Sequence, residues 1–152
     1  MGEYNQVWEQ VKAIWPYFVL IAVMTVASIV YGVVSSKNRK KRAGKFLEEN
    51  PGASEIYLTN KALMVTETVQ VHRVNNDKPI MFNKNRKVGF YVKPGSNIIE
   101  ISYTYTRPGV LYKSVTKSTG LVKQEVEVEP NKAYMLGYDR KVEEFTFEEL
   151  EA

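Results

Sequence analysis

Apolar residues are spread unevenly along this chain. Residues 13–36 form 24 consecutive positions without a formal charge, and a two-residue alternation of apolar and polar positions sets in only after residue 55. The most apolar part of the first run, residues 14–34, would extend about 31 Å as an α-helix, close to the hydrocarbon thickness of a bilayer. A core helix of a soluble domain rarely needs so long an uncharged run on every face. Trp15, Tyr17 and Tyr31 stand near its two ends, where amphipathic rings favour the membrane interface. Pro16 suits an early helical position or a small kink. The run predicts a single transmembrane helix.

A cleaved signal peptide is the rival reading, but its apolar core would be about 7 to 15 residues behind a basic segment. Here the run is longer, and Glu3 and Glu9 precede it against only Lys12 and the terminal amine. An uncleaved anchor is expected. Just before it, Tyr4, Val7, Val11 and Ile14, with Trp8 and Trp15, fall on one helical face that would lie in the interface or extend the membrane helix. Within it, Ala22, Thr25, Ser28 and Gly32 are spaced 3, 3 and 4 apart. Small residues on one face let another helix approach, and Thr and Ser can hydrogen-bond across such a contact. Small residues are also common in membrane helices by chance, so a partner helix, from another protein or a second copy, is one of two readings.

After the anchor the pattern changes. Residues 43–52 read as a short helical turn ended by Asn50-Pro51-Gly52. Short β-like runs follow at 56–58, 62–74, 79–82, 88–93, 97–106, 110–117, 121–129 and 133–140, with a possible edge strand at 141–150. Leu63, Val65, Val69 and Val71 share one face of the second run, and Ile99, Ile101, Tyr103 and Tyr105 share one face of the fifth. The segments 75–78, 83–87, 94–96, 107–109 and 130–132 carry the Asn, Pro and Gly that turns require. Many short strands at regular spacing predict an antiparallel β-sandwich, with a small open barrel as the competitor. The expected fold class is mainly β: an N-terminal transmembrane helix followed by an antiparallel β-sandwich domain. The expected organisation is an interfacial and transmembrane helix at 1–35, a basic juxtamembrane linker with a short helical turn at 36–53, and the β-sandwich at 54–152.

Charge adds an orientation. Lys37, Arg39, Lys40, Lys41, Arg42 and Lys45 fall within ten positions, and without them 15 basic residues face 17 acidic ones. The net charge of +4 is therefore local. A nucleic-acid surface would spread its Lys and Arg along a face or groove, so no nucleic acid is expected as a partner. Basic residues directly after an apolar span favour the cytoplasmic side. The C-terminal domain is thus expected in the cytoplasm, with the cell membrane crossed once. The same six residues can meet anionic lipid headgroups, or act only as a stop-transfer signal without lipid selectivity.

The segments VHRVN (71–75), GFYVKPGSNIIEISY (89–103) and EVEPNKAYMLGYDR (127–140) resemble small bacterial envelope β-domain proteins of the DUF2846 and PEGA kind. The shared order is an early strand, a glycine before an aromatic strand, a Pro-Gly turn, and a later Asn-Lys-x-Tyr strand. The resemblance covers roughly residues 55–140 and implies a β-sandwich without established catalysis. Proteins of that kind are often lipoproteins or exported. This chain has no lipobox cysteine, and its flanking charges point inward.

Candidate chemistry is sparse. There is no Cys, so no thiolate metal site or Cys nucleophile. The one histidine, His72, would need Asp77 or Asp139 for a triad, and nothing in the spacing favours either. One His with carboxylates makes a poor zinc site. Glu125, Glu127 and Glu129 alternate on one strand face, and five further Glu form an acidic tail, so solvated charge is expected rather than a carboxylate pair. Phosphate-binding glycine loops are missing, and residues 86–92 match the RNA-binding RNP1 pattern only superficially. No catalytic, cofactor-binding or metal-binding residue is expected. Of ten tyrosines, Tyr103, Tyr105 and Tyr112 gather around the turn at 107–109. Exposed, they would suit a protein or sugar partner; buried, they are sandwich core. The expected function is a non-enzymatic accessory or scaffold subunit of a bacterial membrane assembly, contacting membrane lipids and a membrane protein or a second copy. The alternative is an envelope binding module that takes a glycan or peptide on its tyrosine-rich strands.

Overall fold

A computed structural model describes residues 2–62, 65–109 and 113–150, with the side chains of 8, 12 and 14–49 in the first helix. Leu63 and Tyr112, and the side chains of Tyr4, Val7 and Val11, lie outside what is described. The chain divides into two compact units, residues 1–38 and 39–152.

A single helix, α1 (Gly2–Glu49), replaces the expected span, linker and separate helical turn. It continues through 36–49 because Lys, Arg, Ala, Leu and Glu are all good helix formers, and Lys45 and Glu49 pair one turn apart at 3.6 Å. Asn50 ends it. Both its backbone N–H and its side-chain Nδ2 donate to the Phe46 carbonyl, at 2.9 and 2.8 Å, and Pro51-Gly52 turns the chain away. Pro16 is interior to this helix rather than at its start, so one backbone hydrogen bond is missing there.

The remainder is two five-stranded sheets. The first runs in the order β10 (Glu144–Glu149), β9 (Ala133–Asp139), β1 (Ser54–Leu58), β5 (Lys87–Val92), β4 (Ile80–Lys84). The second contains β2 (Asn60–Ala62), β3 (Thr66–Val74), β6 (Gly95–Pro108), β7 (Ser114–Ser118) and β8 (Val122–Val128). The 14-residue β6 is its axis. One edge of β6 pairs with β3, while the other is shared by β8 along its first half and β7 along its second. The pairing is antiparallel except at β1 and β9, which run parallel. The single strand expected over 62–74 is instead a hairpin of β2 and β3, with Val65 between them.

Both sheets contribute to one core. Ile56, Phe90, Val92 and Leu136 come from the first, and Val69, Ile99, Ile101, Val126 and Val128 from the second. Alternate positions of β6 point inward, as a period of two requires. Burial of these side chains supplies the main drive for folding, at about 1.5–3 kcal/mol for each large aliphatic or aromatic group.

The crossovers between sheets are braced by buried polar groups. Asn97 donates to the carbonyls of Lys93 and Gly95, each at 2.9 Å, and accepts from Asn75 Nδ2 at 2.9 Å. Ser54 donates to the Glu129 carbonyl at 2.5 Å and accepts from the Lys132 N–H at 3.1 Å, holding the β8–β9 crossover against β1. The Asn75-Asn76 and Asn85-Arg86 turns both take positive φ at their two central residues, the geometry that matches the twist of hairpin strands.

Candidate functional site

Three groups of residues carry the expected sites. The first is on α1, whose stretch from Ile14 is long and apolar enough to cross a membrane, with a mean hydropathy of 2.3 and none of it buried. Ala22, Thr25, Ser28 and Gly32 are all exposed, and a side chain added at Gly32 would meet nothing within 4 Å. Thr25 and Ser28 donate to the carbonyls of Ile21 and Met24, both at 2.8 Å. Their protons are therefore used inside the helix, as is common for Ser and Thr at such positions. What this face offers a neighbouring helix is a smooth surface and two hydroxyl oxygens that can still accept hydrogen bonds.

The second group is the basic run. Lys37, Arg39, Lys40, Lys41, Arg42 and Lys45 are all exposed on α1. Arg39 and Arg42, however, do not stand over open solvent alone. They line two adjoining clefts, of about 390 and 520 Å³, whose shared wall is Arg42, Lys78, Pro79 and Ile80. Phe46 and Lys93 join the larger cleft and His72 and Met81 the smaller. Lys78 and Lys93 were invisible to sequence reasoning, because nothing near them in the chain marks them as neighbours of the helix end.

His72 reaches this region through a β-bulge. Val71 pairs with Ile101 and Arg73 with Glu100, so His72 is an extra residue on β3, and a bulge re-aims the side chain it carries. Its Nε2 lies 2.8 Å from Ser102 Oγ. Among the described residues no carboxylate holds its ring, and no group of three His, Asp or Glu could hold a metal ion.

The third group is the tyrosines. Tyr103 belongs to the core, only 5% exposed, and stacks on Tyr138 with ring centroids 4.1 Å apart. Tyr103 is therefore not an exposed partner surface: β6 places it on the same inward face as Ile99 and Ile101. Burial, with the Glu67 carboxylate as a smaller contribution, pushes its pKa up. Tyr105, two positions further, is half-buried beneath Arg140, whose guanidinium carbon sits 4.0 Å from the ring centroid. Glu67 fixes that guanidinium through a 3.0 Å contact to Nη1. Tyr103, Tyr105, Tyr138 and Arg140 line a cleft of about 420 Å³ together with Arg107, Lys117, Thr119 and Glu143. The arrangement can take an aromatic or sugar face against Tyr105 and an acidic group against the cations.

Comparisons of the chain with family models, with curated proteins and with solved structures find no match. The likeness to envelope β-domains thus rests on the sequence segments 71–75, 89–103 and 127–140 alone.

Proposed function

We propose that this chain is a non-enzymatic, single-pass membrane-anchored accessory or scaffold subunit of a bacterial membrane assembly, with its β-sandwich in the cytoplasm. The observation that carries the proposal is α1: its apolar stretch is wholly exposed and presents Ala22, Thr25, Ser28 and Gly32 in one row. An exposed apolar surface of that length is costly in water and suited to lipid. A row of small residues suits close approach of a second helix. The basic run that follows supports the inward orientation.

The test is purification of the full-length protein from native membranes in mild detergent, with mass spectrometry of what accompanies it. The proposal expects a stoichiometric membrane protein that is lost when Ser28 and Gly32 are replaced by Leu. Recovery of the chain alone, or only with copies of itself, would contradict it.

A second reading, a binding module for a glycan or peptide, is favoured by one feature. Arg140 is held over Tyr105 by Glu67 beside an open cleft, and such a preorganised cation and aromatic pair suits a ligand anchor. In that case Tyr105→Ala abolishes ligand binding and leaves co-purification of a membrane protein unchanged.

A further inference from the structure

Arg42 and Lys78 are 36 positions apart in the chain, yet they form one wall of both clefts at the end of α1. Arg39 extends that wall on one side and Lys93 on the other. Against these four cations the clefts hold one carboxylate, Asp77. Among the described residues none of the four makes an ion pair within 4.0 Å. Elsewhere on the same unit Arg73, Lys84, Lys123, Lys132 and Arg140 all do. What distinguishes this place is convergence: four cations, without ion pairs among the described residues, line two adjoining clefts, where like charges repel.

Beside polar Asn75, Asn97 and His72, the lining includes apolar Phe46, Pro79, Ile80 and Met81. Cations for an anionic group, beside a surface for carbon, match an amphiphile better than a free ion. The chain itself supplies the source. Arg39 follows Val34, the last residue of the apolar run, by five positions, so it can lie no more than about 18 Å from it even fully extended. A molecule in the adjoining leaflet is then held at high effective concentration.

We propose that Arg42 and Lys78, flanked by Arg39 and Lys93, form a binding site for the anionic headgroup of a membrane phospholipid. The site rests on the reading of α1 as a membrane span. It differs from general attraction of the basic run to lipid, because two of its four cations come from the β-domain and Lys40 and Lys41 are not part of it.

The test uses full-length protein in a neutral, mild detergent. Its thermal unfolding is followed while phosphatidylglycerol, phosphatidylcholine or inorganic phosphate is added. Phosphatidylglycerol is expected to raise the melting temperature in a saturable way, and the other two to leave it unchanged. Lys78→Gln is expected to weaken the apparent affinity for phosphatidylglycerol by roughly tenfold, the loss of one charge-assisted contact. The double variant Lys40→Gln/Lys41→Gln should keep it. A Lys78→Gln protein that melts as the wild type does without lipid shows that the lost response is not misfolding. The site is overturned if Lys40→Gln/Lys41→Gln weakens the response as much as Lys78→Gln, or if Lys78→Gln has no effect. A response to inorganic phosphate equal to that to phosphatidylglycerol would overturn the lipid as occupant. A chain that stays soluble without detergent overturns the membrane reading itself, whereas a detergent-requiring chain with no lipid response overturns only the site.

Discussion

Tyr103 lies flat against Tyr138, the ring centroids 4.1 Å apart and the planes 17° from parallel. Its hydroxyl is buried and, among the described residues, has no hydrogen-bond partner. The ring stabilises the core, and the oxygen works against it: an unmet buried hydroxyl costs on the order of 1–3 kcal/mol. Tyr103→Phe should therefore leave the unfolding free energy unchanged or raise it by about 1 kcal/mol, and Tyr103→Ala should lower it by about 3 kcal/mol. Chemical denaturation in mild detergent measures both. A loss of stability in Tyr103→Phe would mean that the hydroxyl has a partner in solution.

Gly89 faces Tyr57 on one side and Phe82 on the other across three adjacent strands. A Cβ there would come within 2.5 Å of the Ile56 carbonyl oxygen and of Phe82 Cζ. The bare backbone lets the Phe82 ring lie across β5 between Tyr57 and Tyr91. Gly89→Ala is expected to cost about 1–3 kcal/mol through overpacking. Adding Phe82→Leu should return only part of that, because the contact with the Ile56 carbonyl remains. Full recovery in the double variant would show that the ring, not the backbone, sets the constraint.

At the β4–β5 turn, Asn85 and Arg86 take φ of 52° and 62°. A side chain at positive φ is strained, and Gly is the residue favoured at the second position of such turns. Arg86→Gly should stabilise the protein by up to about 1 kcal/mol, read as a higher denaturant midpoint with an unchanged slope. A lower midpoint would contradict this geometry.

Tyr57 donates to Glu55 Oε2 at 2.5 Å. Burial, then that hydrogen bond and the Glu55 charge, push the Tyr57 pKa up to about 12. The unfolded chain titrates near 10, so above that pH the native state holds the proton more firmly. The contribution is fully present below about pH 10 and is lost as pH rises through the folded value. Stability should fall more steeply between pH 10 and 12 in the wild type than in Tyr57→Phe. Equal slopes would remove Tyr57 as a cause.

Much of the β-domain was legible because its cause is local. Inward Ile99, Ile101 and Tyr103 follow from simple alternation, and the turns at 75–78 and 83–87 from Asn residues that tolerate positive φ. Three features were not legible, and each depends on contacts distant in sequence. The parallel pairing of β1 with β9 joins Glu55 to Ala133, and nothing in either strand marks its direction. The bulge at His72 is a property of the β3–β6 register, not of residues 71–73 alone. Lys78 and Lys93 join Arg42 only once β3, β4 and β5 are folded. The same limit applied to Tyr103: the sequence placed it beside Tyr105 on one face, but how deeply each sits depends on Tyr138 and Arg140, which arrive from β9 and the residue after it.

The proposed topology, with α1 crossing the membrane once and the β-domain inside, can be tested directly. The chain has no cysteine, so single cysteines can be introduced without background at Glu3, ahead of the span, and at exposed Ser118 on β7. Intact spheroplasts would be treated with a membrane-impermeant maleimide and compared with lysed ones. Labelling of Glu3→Cys is expected in both samples, and of Ser118→Cys only after lysis. Labelling of Ser118→Cys in intact spheroplasts would contradict the cytoplasmic placement, and recovery of the protein in the soluble fraction would contradict the span itself.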